Sequence, residues 1–164
     1  MEADSKPAIS SPSALVLSVV PALAASLIGS SATLPNIPTW YMSLIKPSFT
    51  PPNWIFGPVW TLLYILMAVA CYRVLRQENG RGHRGSIAAY FIQAFFNGAW
   101  SVAFFGLNSP FLGLVIIAPL WASIIWTMIS FWSYDRFAGA VFVPYLAWVS
   151  FAIALNLGIW LLNP

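Results

Sequence analysis

Charged side chains are scarce in this 164-residue chain: Asp, Glu, Lys and Arg make up 7% of it against 60% hydrophobic residues, and the mean hydropathy is +0.80. Soluble domains carry about 25% charged residues, so a water-soluble core is excluded at the outset. Cysteine and histidine are nearly missing. A lone Cys71 has no partner for an internal disulfide, and beside a single His83 no Cys/His set has metal-ligand spacing. Cys71 reads as a small packing residue, and His83, in a glycine- and arginine-rich stretch, as a solvated side chain. The four acids, Glu2, Asp4, Glu78 and Asp135, fall outside or at the edge of the apolar runs. No intramembrane carboxylate is therefore available to relay protons or couple an ion, which argues against a pump or secondary transporter. There is no P-loop and no dinucleotide fingerprint after a strand.

What remains is five long apolar runs. A transmembrane helix needs about 20 largely apolar residues, and such runs fall at about 14–34, 54–75, 87–107, 111–134 and 137–162. They are continuous rather than alternating, which predicts helices and not a β-barrel. The fold class expected is an all-α, five-helix membrane bundle (14–164) behind a short tail (1–13). The tail carries Glu2 and Asp4 rather than a basic signal region, so the first helix is expected to be retained. Asn53 and Ser86 are candidate N-caps for the second and third helices. Pro21, Pro58, Pro119 and Pro144 lie inside spans, and some kinking is expected. Lys6, Arg73, Arg76, Arg81, Arg84 and Arg136 share one side of such a bundle and Lys46 stands on the other. The positive-inside bias therefore predicts a cytoplasmic N-terminus and an outside C-terminus. The net charge of +3 reflects that topology rather than a nucleic-acid partner.

Tryptophan is in excess: nine residues, within 16% aromatics. Trp40, Trp54, Trp132 and Trp160 fall near helix ends, where interfacial anchoring accounts for them. Trp60, Trp100, Trp121, Trp126 and Trp148 lie deep in their spans, where an indole N–H needs a partner. They predict a buried aromatic cluster that either packs the bundle or, with Asn97 and Asn156, lines a cavity for a flat apolar ligand. Each Asn must bond across helices or face that cavity.

The run from Trp40 to Tyr64, with Lys46-Pro47, Pro51-Pro52-Asn53-Trp54 and Gly57-Pro58-Val59-Trp60 inside it, closely resembles the tryptophan-rich sensory protein/translocator protein family (TspO/MBR), once called peripheral-type benzodiazepine receptors. Asn97-Gly98-Ala99-Trp100-Ser101 with Phe104-Phe105-Gly106 resembles its third-helix motif. Val143-Pro144-Tyr145-Leu146-Ala147-Trp148 and Phe151 to Asn156 resemble its fifth-helix motifs. The resemblance covers about 21–163. It implies a five-helix protein, often homodimeric, that binds porphyrins, cholesterol in animal members, and isoquinoline-type synthetic ligands. It places Trp60 and Trp148 in a tetrapyrrole pocket, with Tyr41, Pro51, Phe56, Asn97, Trp100, Phe104, Ala152 and Leu155 as lid and walls. Lys46, Asn97 or Asn156 would meet a propionate or ring nitrogen, with a solvated loop cation as the alternative for Lys46. No cofactor is required; protoporphyrin IX or a haem-like tetrapyrrole is the expected ligand. The animal sterol pattern would fall over Leu155, Leu157 and Leu161, where its Tyr and Arg are replaced by Leu, which favours a bacterial-type tetrapyrrole protein over a sterol binder.

Three functions follow from that resemblance and composition. They are a porphyrin-binding sensor or transporter linked to oxidative-stress regulation, a light-dependent porphyrin-degrading enzyme using Trp60 and Trp148, and a lipid-associated protein, either binding cholesterol or lipid or packing in the membrane without a specific ligand. Small residues at Ala94/Gly98, Ala99/Ala103 and Ala25/Gly29 are spaced for close helix contact, within one bundle or between chains. The resemblance turns Ala94 and Gly98 toward a dimer interface.

Overall fold

A computed structural model describes residues 9–77 and 83–164. Glu2, Asp4, Lys6, Glu78, Gly80, Arg81 and Gly82 lie outside the described residues, as does the side chain of His83. The described residues form helices and no strand: α1 (Ser11–Thr33), α2 (Phe56–Leu75), α3 (His83–Ser101), α4 (Pro110–Trp132) and α5 (Arg136–Leu162). A 3-10 turn, Asn53–Ile55, leads into α2, and a π-helical turn, Val102–Gly106, prolongs α3. All five helices are long and apolar enough to cross a membrane.

Helix starts differ from expectation where local chemistry intervenes. α1 begins at Ser11, ahead of residue 14, because Pro12 occupies the first turn, where its missing N–H is not needed. Asn53 is not a cap: Pro52 precedes the 3-10 turn and no side chain caps it. Ser86 is not one either, since α3 starts at His83 and the Ser86 hydroxyl shares a 2.7 Å hydrogen bond with Ser130 of α4. The side-chain caps are Ser109, which accepts from the Leu112 N–H at 3.2 Å, and Asp135, which accepts from Phe137 and Ala138. Pro58 sits in the first turn of α2 rather than its interior, while Pro21, Pro119 and Pro144 are interior.

Each helix has two chief neighbours, in the order α1, α2, α5, α4, α3 and back to α1. Tyr90, Phe131, Phe142 and Tyr145 fill the centre of this ring. α1 and α3 meet through small residues. A side chain at Gly98 would touch Ile28 and the Ala25 backbone, and one at Gly29 would press on Ser101 and Tyr64. Ala94 is buried at 6% exposure. Gly98 thus meets Ala25 and Ile28, and Gly29 meets Ser101, within one chain.

The two ends are fastened differently. At the arginine end, Arg73 Nε meets Asp135 Oδ2 at 2.7 Å and Arg76 donates to the Ile9 carbonyl at 2.7 Å. At the other end the first loop, including a π-helical turn at Ile37–Tyr41, docks on α5. There the Ile45 N–H donates to Asn163 Oδ1 at 3.0 Å, and Asn163 Nδ2 returns a bond to the Ile45 carbonyl at 2.9 Å.

Candidate ligand-binding site

Aromatic rings line up from the first loop into the bundle. Trp60 stacks on Tyr64 one turn along α2, with centroids 5.7 Å apart and planes at 29°, and lies 6.4 Å from Trp100 of α3. Trp100 stacks on Phe104 at 5.6 Å, Phe104 meets Trp40 edge-on at 5.4 Å, and Tyr41 lies 5.5 Å from Phe105. Beside these rings a cavity of about 320 Å³ opens between α1, α2 and α3 under the first loop. Tyr41, Trp54, Phe56, Trp60, Tyr64, Trp100 and Phe105 supply its aromatic wall, and Ser26, Gly29, Ser30 and Thr33 of α1 its opposite side. The volume is at the low end of the range for small-molecule sites, about 300–1,000 Å³.

The residues expected at one pocket divide into three groups. Tyr41, Phe56, Trp60 and Trp100 line this cavity. Pro51 and Trp148 line a second, more open groove of about 540 Å³ between α2 and α5, walled by Leu62, Leu66, Pro144 and Phe151. Phe104, Ala152, Leu155, Asn97 and Asn156 are buried in the bundle and line neither. Phe56 joins the first two groups, since its ring packs edge-on against Trp148 at 5.7 Å.

Both asparagines are committed to the fold. Asn97 Oδ1 accepts from the Tyr64 hydroxyl at 2.6 Å and its Nδ2 donates to Tyr145 Oη at 2.8 Å; the Tyr145 hydroxyl donates onward to Gln93 Oε1 at 3.1 Å. Asn156 Oδ1 accepts from Trp100 Nε1 at 3.2 Å while its Nδ2 donates to the Pro110 carbonyl at 2.7 Å. Lys46 does not line the cavity: its ammonium lies 4.7 Å from the centre of the Tyr41 ring and donates to the Leu44 carbonyl. The Trp148 indole N–H is buried without a partner among the described residues.

Two deep tryptophans leave the expected cluster. Trp121 and Trp126 face outward, 37% and 46% exposed, and Trp121 Nε1 donates to Ser150 Oγ at 2.9 Å. The inward positions of α4 are Ile117, Leu120, Ile124, Thr127 and Phe131. Trp54, Trp132 and Trp160 are exposed near helix ends, whereas Trp40 packs on Phe104 and Phe105. Sequence reasoning missed Tyr64, Phe105 and the hydroxyl-bearing side of the cavity, although the spacing of Ser26, Ser30 and Thr33 puts them on one face of α1.

The model of the TspO/MBR family matches residues 17–161. The chain is 43% identical over 150 residues to Tryptophan-rich protein TspO of Archaeoglobus fulgidus, covering 91% of this chain and 96% of that protein. It is 40% identical over 152 residues to Protein CrtK of Rhodobacter capsulatus, covering 92% and 94%. It is 32% identical over 123 residues to the human Translocator protein, covering 74% and 73%. Sequence, helix count and breadth of similarity agree: this multi-pass, five-helix integral membrane protein belongs to the TspO/MBR family.

Proposed function

We propose that the chain is a membrane receptor for porphyrin-type tetrapyrroles, acting as a sensor or carrier, with the cavity between α1, α2 and α3 as its binding site. The observation that carries this reading is the pair Trp60 of α2 and Trp100 of α3, indoles that together border an open cavity of about 320 Å³. Indole faces stack on a broad conjugated ring, and a cavity of this size with an open mouth holds one edge of the macrocycle while the rest lies in the mouth. The same surface suits flat isoquinoline-type molecules.

Porphyrin absorbance titration of the detergent-solubilised protein tests the assignment. Trp60→Ala is expected to weaken protoporphyrin IX binding about tenfold, the loss of one stacked ring and its buried area, while Trp148→Ala leaves it within about twofold. Loss of binding in Trp148→Ala alone would move the site to the α2–α5 groove, and no binding by the wild type would end the proposal. The stack of Trp60 on Tyr64, whose phenol is hydrogen-bonded to Asn97, favours a second reading in which these oxidisable rings support light-dependent porphyrin breakdown. Irradiating the complex distinguishes the two: a Trp60-dependent loss of the porphyrin band means degradation, and an unchanged band means binding alone.

The arginine end, with Arg73, Arg76, Arg84 and Arg136, is assigned to the cytoplasm together with the N-terminus. Self-association is assigned to the outward face of α3, where Phe91 and Phe95 are exposed beside the small-residue pair Ala94 and Gly98.

A further inference from the structure

Aromatic stacking leaves one side of the cavity unexplained. Ser26, Ser30 and Thr33 follow one another along a single face of α1, all on the cavity, and Ser101 of α3 lies close by, its Oγ 3.1 Å from where a Cβ on Gly29 would stand. Serine and threonine in an apolar helix normally turn their hydroxyls back to a carbonyl three or four residues earlier. Ser18, Ser31, Ser123, Thr127 and Ser150 do so here, at 2.7 to 3.0 Å. Ser26, Ser30, Thr33 and Ser101 do not, and their hydroxyls have no other partner among the described residues. Ser101 is buried at 8% exposure, where an unpaired hydroxyl is unfavourable unless something in the cavity bonds to it, and Ser26, Ser30 and Thr33 open onto the same cavity. No charged side chain of the described residues lines the cavity, so the polar wall is neutral.

We infer that this row of hydroxyls reads the oxygen-bearing edge of the ligand. The cavity takes a flat conjugated molecule with its carboxyl or carbonyl substituents turned toward α1 and its ring face toward Trp60 and Trp100. This deepens the tetrapyrrole reading above and rests on it. The aromatic wall supplies affinity for any flat ring, and the α1 hydroxyls supply discrimination, because a site with open donors rejects an analogue that cannot fill them.

The test compares protoporphyrin IX, which carries two carboxyl groups, with etioporphyrin, which carries only alkyl substituents, by absorbance titration of the full chain in detergent. Wild type is expected to bind protoporphyrin IX about tenfold more tightly, the equivalent of one or two net hydrogen bonds. The triple variant Ser26→Ala/Ser30→Ala/Thr33→Val should reduce that ratio to within about twofold by weakening protoporphyrin IX alone, since no bond to an alkyl edge is lost. Ser31→Ala, on the same helix but back-bonded to Ile28, should leave the ratio unchanged. If the triple variant fails to fold, shown by lost etioporphyrin binding, Ser30→Ala carries the test and should lower the ratio at least about threefold, one neutral hydrogen bond's worth. An unchanged ratio in the variants, or equal binding of both porphyrins by the wild type, overturns the hydroxyl reading and leaves the tetrapyrrole reading standing. Wild type that binds neither porphyrin overturns both.

Discussion

Asn97 ties three helices at one point. Its amide accepts from Tyr64 of α2 and donates to Tyr145 of α5, and Tyr145 continues to Gln93 one turn below Asn97 on α3. Buried polar groups that bond one another are strong when the network is complete and costly when it is broken. Asn97→Leu strands the Tyr64 and Tyr145 hydroxyls and should lower stability by about 1–3 kcal/mol, checked by thermal unfolding in detergent. Because Tyr64 also lines the cavity beneath Trp60, the same change should weaken porphyrin binding severalfold. The sequence offered two readings of Asn97 and Asn156, bonding across helices or facing a cavity. The structure gives the first for both. Nothing local decides that choice: it depends on where Tyr145 and the Pro110 carbonyl come to rest, and both are set by helix rotation.

Among the elements, α4 shows most plainly what depth alone misses. Ser123, Thr127 and Ser130 are spaced along one face of it, and Ser123 and Thr127 are buried, whereas depth in the span was the guide to Trp121 and Trp126. Depth says how far along the bilayer normal a residue lies, not which way it points. α1 carries a similarly spaced row of hydroxyls at 26, 30 and 33, which marks the cavity side. The π-helical turns at Ile37–Tyr41 and Val102–Gly106 had no such signal. Between α4 and α5 the decisive residue is Asp135, which caps α5 and pairs with Arg73 of α2. Partial burial pushes its carboxyl up, but the Arg73 hydrogen bond and the N–H groups of Ala138 and Phe137 outweigh this and hold it below the ordinary carboxylate range. A depressed value means that the stabilisation is complete above the unfolded-state value of about 3.9 and is lost as pH falls through the folded-state value. Melting of the wild type should therefore drop more steeply than that of Asp135→Asn below about pH 4, with the two curves parallel between pH 5 and 8.

At the scale of the molecule, the five spans were legible because continuous apolar length is a property of composition, whereas the ring order α1, α2, α5, α4, α3 is a property of packing and was not. That order is why residues expected around one pocket fall on two: Trp60 of α2 opens toward α1 and α3, and Trp148 of α5 lines the groove on the other side of α2. Orientation is testable with single cysteines, since native Cys71 is buried. Ser10→Cys at the arginine end should label only from the cytoplasmic side and Ser48→Cys in the first loop only from outside, in intact cells compared with inverted vesicles; the reverse pattern would invert the assignment. The ring order also makes α2 a partition. The cavity stands on its α1 side and the groove on its α5 side, and Phe56 lines the first while packing on Trp148 of the second. With α1 held to α3 by close-packed small residues and α5 clasped to the first loop by Asn163, the two outer walls are fixed and the partition is the shared boundary. A tilt of α2 that enlarges one chamber must shrink the other, so filling the first would be felt in the second as a change of volume.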